Sequence, residues 1–192
     1  LLPGVPVRAD VEVVAAADLV LLAVPDEALP GLIGGLAAAQ AFHPGQVVVH
    51  ASARHGIGVL EPAAVADVLP VALHPAITLS GHIGDVDRLS GAVFAVTTLR
   101  ALRPLGEALV IEMGGEPVWV EEEDRIGYAA ALAAVREGVS GVLTAAARVL
   151  ADCGIPDPRR ALEPLVQATI DTTFGSSVTR DIASSDEPEE LL

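Results

Sequence analysis

An α/β domain with a mainly parallel sheet, followed by an all-helical domain, is the fold class this sequence predicts, on three observations. Short apolar runs without alternation, such as Leu19-Val20-Leu21-Leu22-Ala23-Val24, suit strands buried on both faces of a parallel sheet. Such runs alternate with helical stretches as far as Val120. Beyond it only apolar residues at three- and four-residue steps recur, with no strand signal. The expected boundary lies near Glu121, with an α/β domain over 1–120 and a helical one over 121–192.

The chain opens on Leu1-Leu2-Pro3-Gly4, which reads as a connection, and Val5-Pro6-Val7 is a short strand candidate. Asp10 is placed to cap a brief helix through Ala17, because a carboxylate there accepts free backbone N–H groups. The run from Asp18 to Val24 is a strand closed by Pro25, and Asp26 stands where it can cap a helix towards Gln40. Gly34-Gly35 within that helix implies close packing or an interruption. Further strands are expected at Gln46–Ala51, at Leu69–Leu73 ending on His74-Pro75, at Ala92–Thr97 and at Pro117–Val120. Helices are read over Val59–Val68 and Leu102–Met113, the second stopped by Gly114-Gly115. Four acids, Glu121 to Asp124, stand at the start of a long helix, favourable against its positive dipole end. Tyr128, Leu132, Val135, Val139, Val142 and Ala146 form one apolar stripe along it. Gly154 and Pro156 end it, Asp157-Pro158 starts another helix, and an acidic tail from Ser184 to Glu190 reads as solvated.

Aromatic residues make up only 3%, so Ala, Val and Leu must build the core. A formal charge of −15, from 26 acids against 11 bases, argues against nucleic acid or an anionic membrane as partner. All the bases are arginines, and without lysine there is no Schiff-base chemistry or lysine-dependent hydroxyacid dehydrogenase mechanism. The one cysteine, Cys153, cannot close an internal disulfide and reads as a small half-buried hydrophobe. The histidines lack metal-ligand spacing with acids or cysteine, so no metal site is expected. Gly138-Val139-Ser140-Gly141 is not a nucleophile elbow, having the wrong spacing within a helix. No apolar run approaches the ~18 residues of a bilayer span, and no signal peptide is read, so a cytoplasmic protein is expected.

Ligands of open parallel sheets bind beyond the carboxyl ends of the strands, and three such ends carry polar groups. At Val24-Pro25-Asp26 the turn can pass beside a cofactor's ribose or nicotinamide, or serve only as strand stop and helix cap. His50-Ala51-Ser52-Ala53-Arg54-His55-Gly56 concentrates two of the five histidines in one loop. There Ser52 can hold a carbonyl oxygen, Arg54 a carboxylate or phosphate, and a histidine can move a proton, unless the loop is merely polar surface. At His74-Pro75-Ala76-Ile77-Thr78-Leu79-Ser80-Gly81 the imidazole of His74 either serves a substrate oxygen or bonds a neighbouring carbonyl. Thr78 adds a hydroxyl on the substrate side, as His55 adds a ring in the preceding loop. His43 and His82 lie in surface turns and carry no assigned role.

Four segments in order resemble the Rossmann-like family carrying the domain of unknown function 2520. They are Asp18 to Asp26, His50-Ala51-Ser52 with His55-Gly56, Ala72-Leu73-His74-Pro75, and Gly115-Glu116-Pro117-Val118-Trp119-Val120. That family is related to pyrroline-5-carboxylate reductases, coenzyme F420-dependent NADP reductases and prephenate dehydrogenases, within the 6-phosphogluconate-dehydrogenase-like superfamily. The resemblance implies a Rossmann-type domain binding NADP or NAD, and a helical domain pairing two subunits as a homodimer. It implies oxidation or reduction of a small carbonyl, imine or hydroxy compound. Val24, Pro25 and Asp26 would line the cofactor, while Ser52 and His74 would face the reacting carbon. The family's Gly-x-Gly-x-x-Gly turn does not occur in these residues, so the first βαβ segment is expected to be missing. Ala129, Ala130 and Arg136-Glu137 replace the polar residues expected in the long helix. A non-catalytic ligand-binding or regulatory homodimer on a degenerate fold is the alternative.

Overall fold

The computed structural model describes residues 5–79, 81–82 and 84–175. The opening Leu1–Gly4, Ser80 and the acidic tail from Ser184 lie outside the described residues. Five strands form one sheet in sequential order: β1 (Leu19–Leu22), β2 (Val47–His50), β3 (Leu69–Pro75), β4 (Val93–Thr98) and β5 (Glu116–Trp119). β1, β2 and β3 are parallel, β4 is antiparallel to β3, and β5 is parallel to β4. The helices are α1 (Asp10–Ala16), α2 (Leu29–Ala38), a 3-10 helix (Ile57–Ala66), α3 (Asp85–Leu89), α4 (Arg103–Glu112), α5 (Arg125–Asp152) and α6 (Pro158–Thr173).

Two apolar layers hold the sheet. On one face Val20, Leu22 and Val48 pack with Val14 of α1, Leu29, Ile33 and Leu36 of α2, and Leu60 and Ala63 of the 3-10 helix. On the other, Val49, Val71, Leu73, Phe94 and Val96 pack with Val110 of α4. The amide of Gln46, fully buried, ties α1 to the sheet by donating to the carbonyls of Val14 (2.6 Å) and Ala17 (2.7 Å). Gly115 precedes β5 because a Cβ there would enter the Phe94 ring.

Several expectations change once neighbours are known. β1 is buried on one face only: Leu19 and Leu21 are 45% and 60% exposed, and β1 pairs with β2 alone among the described residues. Val5-Pro6-Val7 is not a strand, and none of the five strands among the described residues pairs with it. α2 begins at Leu29 with Ala28 as its cap, so Asp26 belongs to the preceding turn rather than to the helix start. The helix runs through Gly34 and Gly35 without interruption, and neither has a close neighbour. The segment expected as an α-helix from Val59 is a 3-10 helix that includes Pro62, whose ring nitrogen offers no N–H. β3 extends through His74 and Pro75. α3 was not foreseen; the half-turn before it is held by Asp85, which accepts the Gly81 N–H at 2.7 Å and pairs with Arg88 at 3.2 Å.

The chain divides into two compact units after Ala133, inside α5, whereas the change in sequence pattern comes at Glu121. The first turns of α5 belong with the sheet because Arg125 is buried against it. In the second unit, α6 starts as read from the sequence: Asp157 caps it by accepting the Arg160 N–H at 3.2 Å, with Pro158 in the first turn. Gly154, at φ +83°, ends α5, and Cys153 beside it is exposed rather than half-buried. The stripe along α5 is largely uncovered, Val135, Val139 and Val142 all being exposed. The helical stretch from Glu122 to Asp152 contains an 18-residue window of mean hydropathy 1.2, long and apolar enough by length and composition to cross a membrane. Arg136 and Glu137 stand midway along it, so it is not an unbroken apolar run.

Candidate active site

Strand register brings the polar side chains of the sheet onto one face. His50 is paired beside Ala72, and Ala72 beside Thr97, while His74 follows two residues on and lies opposite Ala95. Residues two apart on a strand share a face, so His50, His74 and Thr97 share the face that packs on α1 and α2. Arg125, the first residue of α5 and 1% exposed, lies across this row. Its Nε donates to Thr97 Oγ1 at 2.7 Å, and its terminal nitrogens donate to the carbonyls of Ser52 (3.3 Å), Ala72 (3.2 Å) and Ala95 (3.1 Å). One guanidinium thus ties the loop after β2 to β3 and β4, using the planar fork of donors that lysine lacks. Thr97 completes the arrangement by donating to the carbonyl of Val120.

The loop after β2 is built from the same kind of internal bonding. His50 Nε2 lies 2.9 Å from the Gly56 carbonyl and must donate to it, while Nδ1 accepts the Ser52 N–H at 3.3 Å. Those two bonds demand a neutral ring. Burial pushes the imidazole down to about 4; the Gly56 bond opposes it, and smaller effects of Arg125 and His55 (downward) and Asp26 (upward) follow. Ser52 Oγ accepts the N–H groups of Arg54 (3.2 Å) and His55 (3.0 Å). Glu122, just before α5, reaches back to accept the N–H groups of Ile57 (2.7 Å) and Gly58 (3.0 Å). Gly56 leaves room for that carboxylate, which any Cβ would strike.

His74 stands differently from His50. It is half-buried, and its Nδ1 lies 2.9 Å from the hydroxyl of Tyr128, one turn along α5 from Arg125. Burial, then the Arg125 charge, lowers the proton affinity of His74, while Asp26 opposes them. Burial raises the Tyr128 phenol, against a smaller lowering by Arg125. Asp26 therefore lies within electrostatic reach of both His50 and His74. Among the described residues no cluster of His, Cys, Asp and Glu is placed to hold a metal ion.

Of the residues singled out in the sequence, Asp26 and His74 converge on this edge, with Val24 half-buried and Pro25 exposed beside Asp26. Ser52 is buried, its hydroxyl oxygen taken up by its own loop and its carbonyl by Arg125. Arg54 is exposed and His55 half-buried. Thr78 is exposed, and its carbonyl accepts a bond from Arg88 at 3.3 Å. Sequence reading missed Arg125, Glu122 and Tyr128. An arginine directly after four acids and the sole tyrosine of the chain were the available signals, but their partners lie 28 to 73 residues away along the chain.

Comparison with known proteins accords with this architecture. Residues 1–75 match the model of the Rossmann-like domain, and residues 92–182 match that of the domain of unknown function DUF2520. The chain thus carries a Rossmann-like domain followed by a DUF2520 domain. Solved structures of similar fold include protein TM1727 from Thermotoga maritima, with TM-score 0.61 and 16% identity over 82% of this chain and 59% of that one. An imine reductase from Pseudomonas sp. aligns with TM-score 0.65 and 18% identity over 96% and 64%. Plasmodium falciparum pyrroline carboxylate reductase, solved with NADP bound, aligns with TM-score 0.66 and 10% identity over 97% and 69%. This DUF2520 chain thus spans about 60% of the Thermotoga protein's length. No curated protein matches the sequence.

Proposed function

We propose that this DUF2520 protein is an NAD(P)-dependent oxidoreductase acting on a small carbonyl, imine or hydroxy compound. One observation carries the reading: His74 and Tyr128, from different elements, are in bonding contact at the carboxyl edge of the parallel strands, within electrostatic reach of Asp26. That edge is where open parallel sheets bind their ligands. The fold shared with an imine reductase and with a reductase solved with NADP supports a nicotinamide cofactor, NADP or NAD. Val24, Pro25 and Asp26 fit the nicotinamide end, whereas no glycine-rich turn in these 192 residues fits the pyrophosphate. When bound, a reduced nicotinamide supplies hydride. His74 serves the heteroatom of the substrate, Ser52 holds the loop in shape, and Arg54, His55 and Thr78 meet its polar groups.

The second unit supports a homodimer. Val135, Val139, Val142, Leu165 and Ile170 are exposed on α5 and α6, and an open groove of about 470 Å³ runs between the helices beside Leu143, Ala147, Leu162 and Val166. A second copy supplies the same ridge and the same groove, as a two-fold interface requires. Arg136 and Glu137 sit more cheaply at the rim of such an interface than in a bilayer.

The test is titration of the full-length gene product with NADPH and NADH, followed by nicotinamide fluorescence. Saturable binding of one of them is expected, and no binding by about 1 mM rules the reading out. Turnover is then sought across keto acids and cyclic imines. Binding without turnover of any would favour a non-catalytic dimer.

A further inference from the structure

The reductase reading leaves open why a buried arginine and a tyrosine accompany His74. All four hydrogen bonds of Arg125 go to neutral oxygens, none to a carboxylate. Its guanidinium carbon lies 6.0 Å from the centre of the Tyr128 ring. Three residues apart on one helix, the two side chains share a side of α5. The Tyr128 and His74 rings meet edge-on, at 80° with centres 5.6 Å apart, and only the hydroxyl and Nδ1 are in bonding contact. The other ring nitrogen of His74, Nε2, makes no hydrogen bond among the described residues. Nor is it a buried orphan: the buried unpartnered side-chain atoms among the described residues are Gln46 Oε1 and Arg103 Nε. Nε2 is therefore not fully enclosed, on a half-buried ring at the edge where a substrate would lie.

We propose that Tyr128 is a positioning residue for proton delivery: its hydroxyl donates to Nδ1 of His74, keeping the ring proton on Nε2, while Arg125 is placed to hold the charge left on the phenol. The inference rests on the reductase reading for its substrate, and the transfer balances. The carbon of a C=O or C=N bond takes the hydride, and the released π pair goes to the heteroatom. That atom takes the proton from Nε2, Nδ1 takes the proton from Tyr128, and the phenolate faces Arg125. After release of product, water returns one proton to the pair. His74 stays neutral throughout, in agreement with the burial and the Arg125 charge that disfavour imidazolium. The groups whose charges reach the pair are Arg125 on α5 and Asp26 after β1. Glu122 acts on Arg125 from the turn before α5.

Imidazole nitrogen spectroscopy of full-length protein labelled in histidine tests this between about pH 6 and 8, the range in which an ordinary histidine titrates. His74→Gln identifies the resonances, and Tyr128→Phe, which keeps the ring, removes only the hydroxyl. The expected result is a neutral His74 with a protonated Nε2 and an unprotonated, hydrogen-bonded Nδ1. In Tyr128→Phe the two resonances should converge as the tautomers mix. A proton on Nδ1 in the wild type, an imidazolium at neutral pH, or identical spectra in Tyr128→Phe would overturn the proposal. As a second measurement, phenolate absorbance in the wild type should appear only above the ordinary tyrosine range, and phenolate appearing below that range would also overturn it. With a turned-over substrate, Tyr128→Phe should lower kcat by about 10²-fold while KM changes little; an unchanged kcat would count against the relay. Cofactor binding is a separate readout: its loss would remove the reductase reading while leaving these spectra as they are.

Discussion

The row beneath Arg125 and the pair of helices in the second unit satisfy their side chains in opposite ways. In the row, a guanidinium and a threonine hydroxyl are buried and bonded to partners far along the chain, while the buried His50 ring closes its own loop. In the helices the hydrogen bonds are local: Thr169 returns to the carbonyl of Leu165, four residues back, and Gln167 bonds Asp171 at the same spacing. The apolar side chains there, Val139, Val142, Leu165 and Ile170 among them, remain exposed within the single chain. A buried polar group admits few arrangements because each unmade bond is costly, whereas an apolar surface is satisfied by any cover that excludes water. The first region thus specifies its own geometry, and the second depends on what comes to cover it.

Removing the guanidinium should break that contrast most severely. Arg125→Met leaves the Ser52, Ala72 and Ala95 carbonyls and the Thr97 hydroxyl short of a donor, and is expected to cost about 3–5 kcal/mol of folding stability. Urea denaturation followed by circular dichroism checks this, and a loss under about 1 kcal/mol would mean that other donors replace the arginine. On the helical side, Val142→Glu should leave the monomer folded yet weaken self-association by about 2–3 kcal/mol, roughly 30- to 150-fold. Sedimentation at several concentrations would reveal it, and an unchanged mass distribution would separate this face from any dimer.

Acid sharpens the comparison from another direction. Folded His50 stays neutral down to about 4 while the unfolded ring takes a proton below its ordinary 6.5, so stability present above that value falls as the pH drops through the window. His50 alone should remove about 2 kcal/mol between about pH 7 and 5, and His74 adds in the same direction. Urea midpoints across this range should fall in the wild type and stay flatter in His50→Gln; equal slopes would show that the ring is not the cause. The smallest effect is expected at Gly34, where α2 has open space and ordinary helical backbone. Gly34→Ala should raise the melting temperature through a gain of about 0.5–1 kcal/mol, and a loss would reveal a neighbour at that face.

Much of the scaffold was legible because its signals are local. The run ending at Val24, the Gly114-Gly115 stop after α4 and the Asp157-Pro158 start of α6 each state their role within a few residues. The site was legible only in part. His74 could be placed at a strand end, but its partner Tyr128 lies 54 residues on and read as one more member of an apolar stripe. Ser52 was read as facing a substrate, whereas its oxygen closes its own loop. The acids from Glu121 read as helix-dipole partners, yet Glu122 holds a loop 64 to 65 residues earlier in the chain.

By itself the amino-acid order determined the five strands, most of the helices and the switch from α/β to helical architecture, because apolar period, caps and breakers act over one or two turns. Only tertiary structure decided that His50 is a structural ring while His74 meets Tyr128, and that Arg125 joins β3 and β4 to the loop after β2. Those outcomes depend on which distant groups meet in the low-dielectric interior, where a charge or a donor is tolerable only beside the partner that satisfies it.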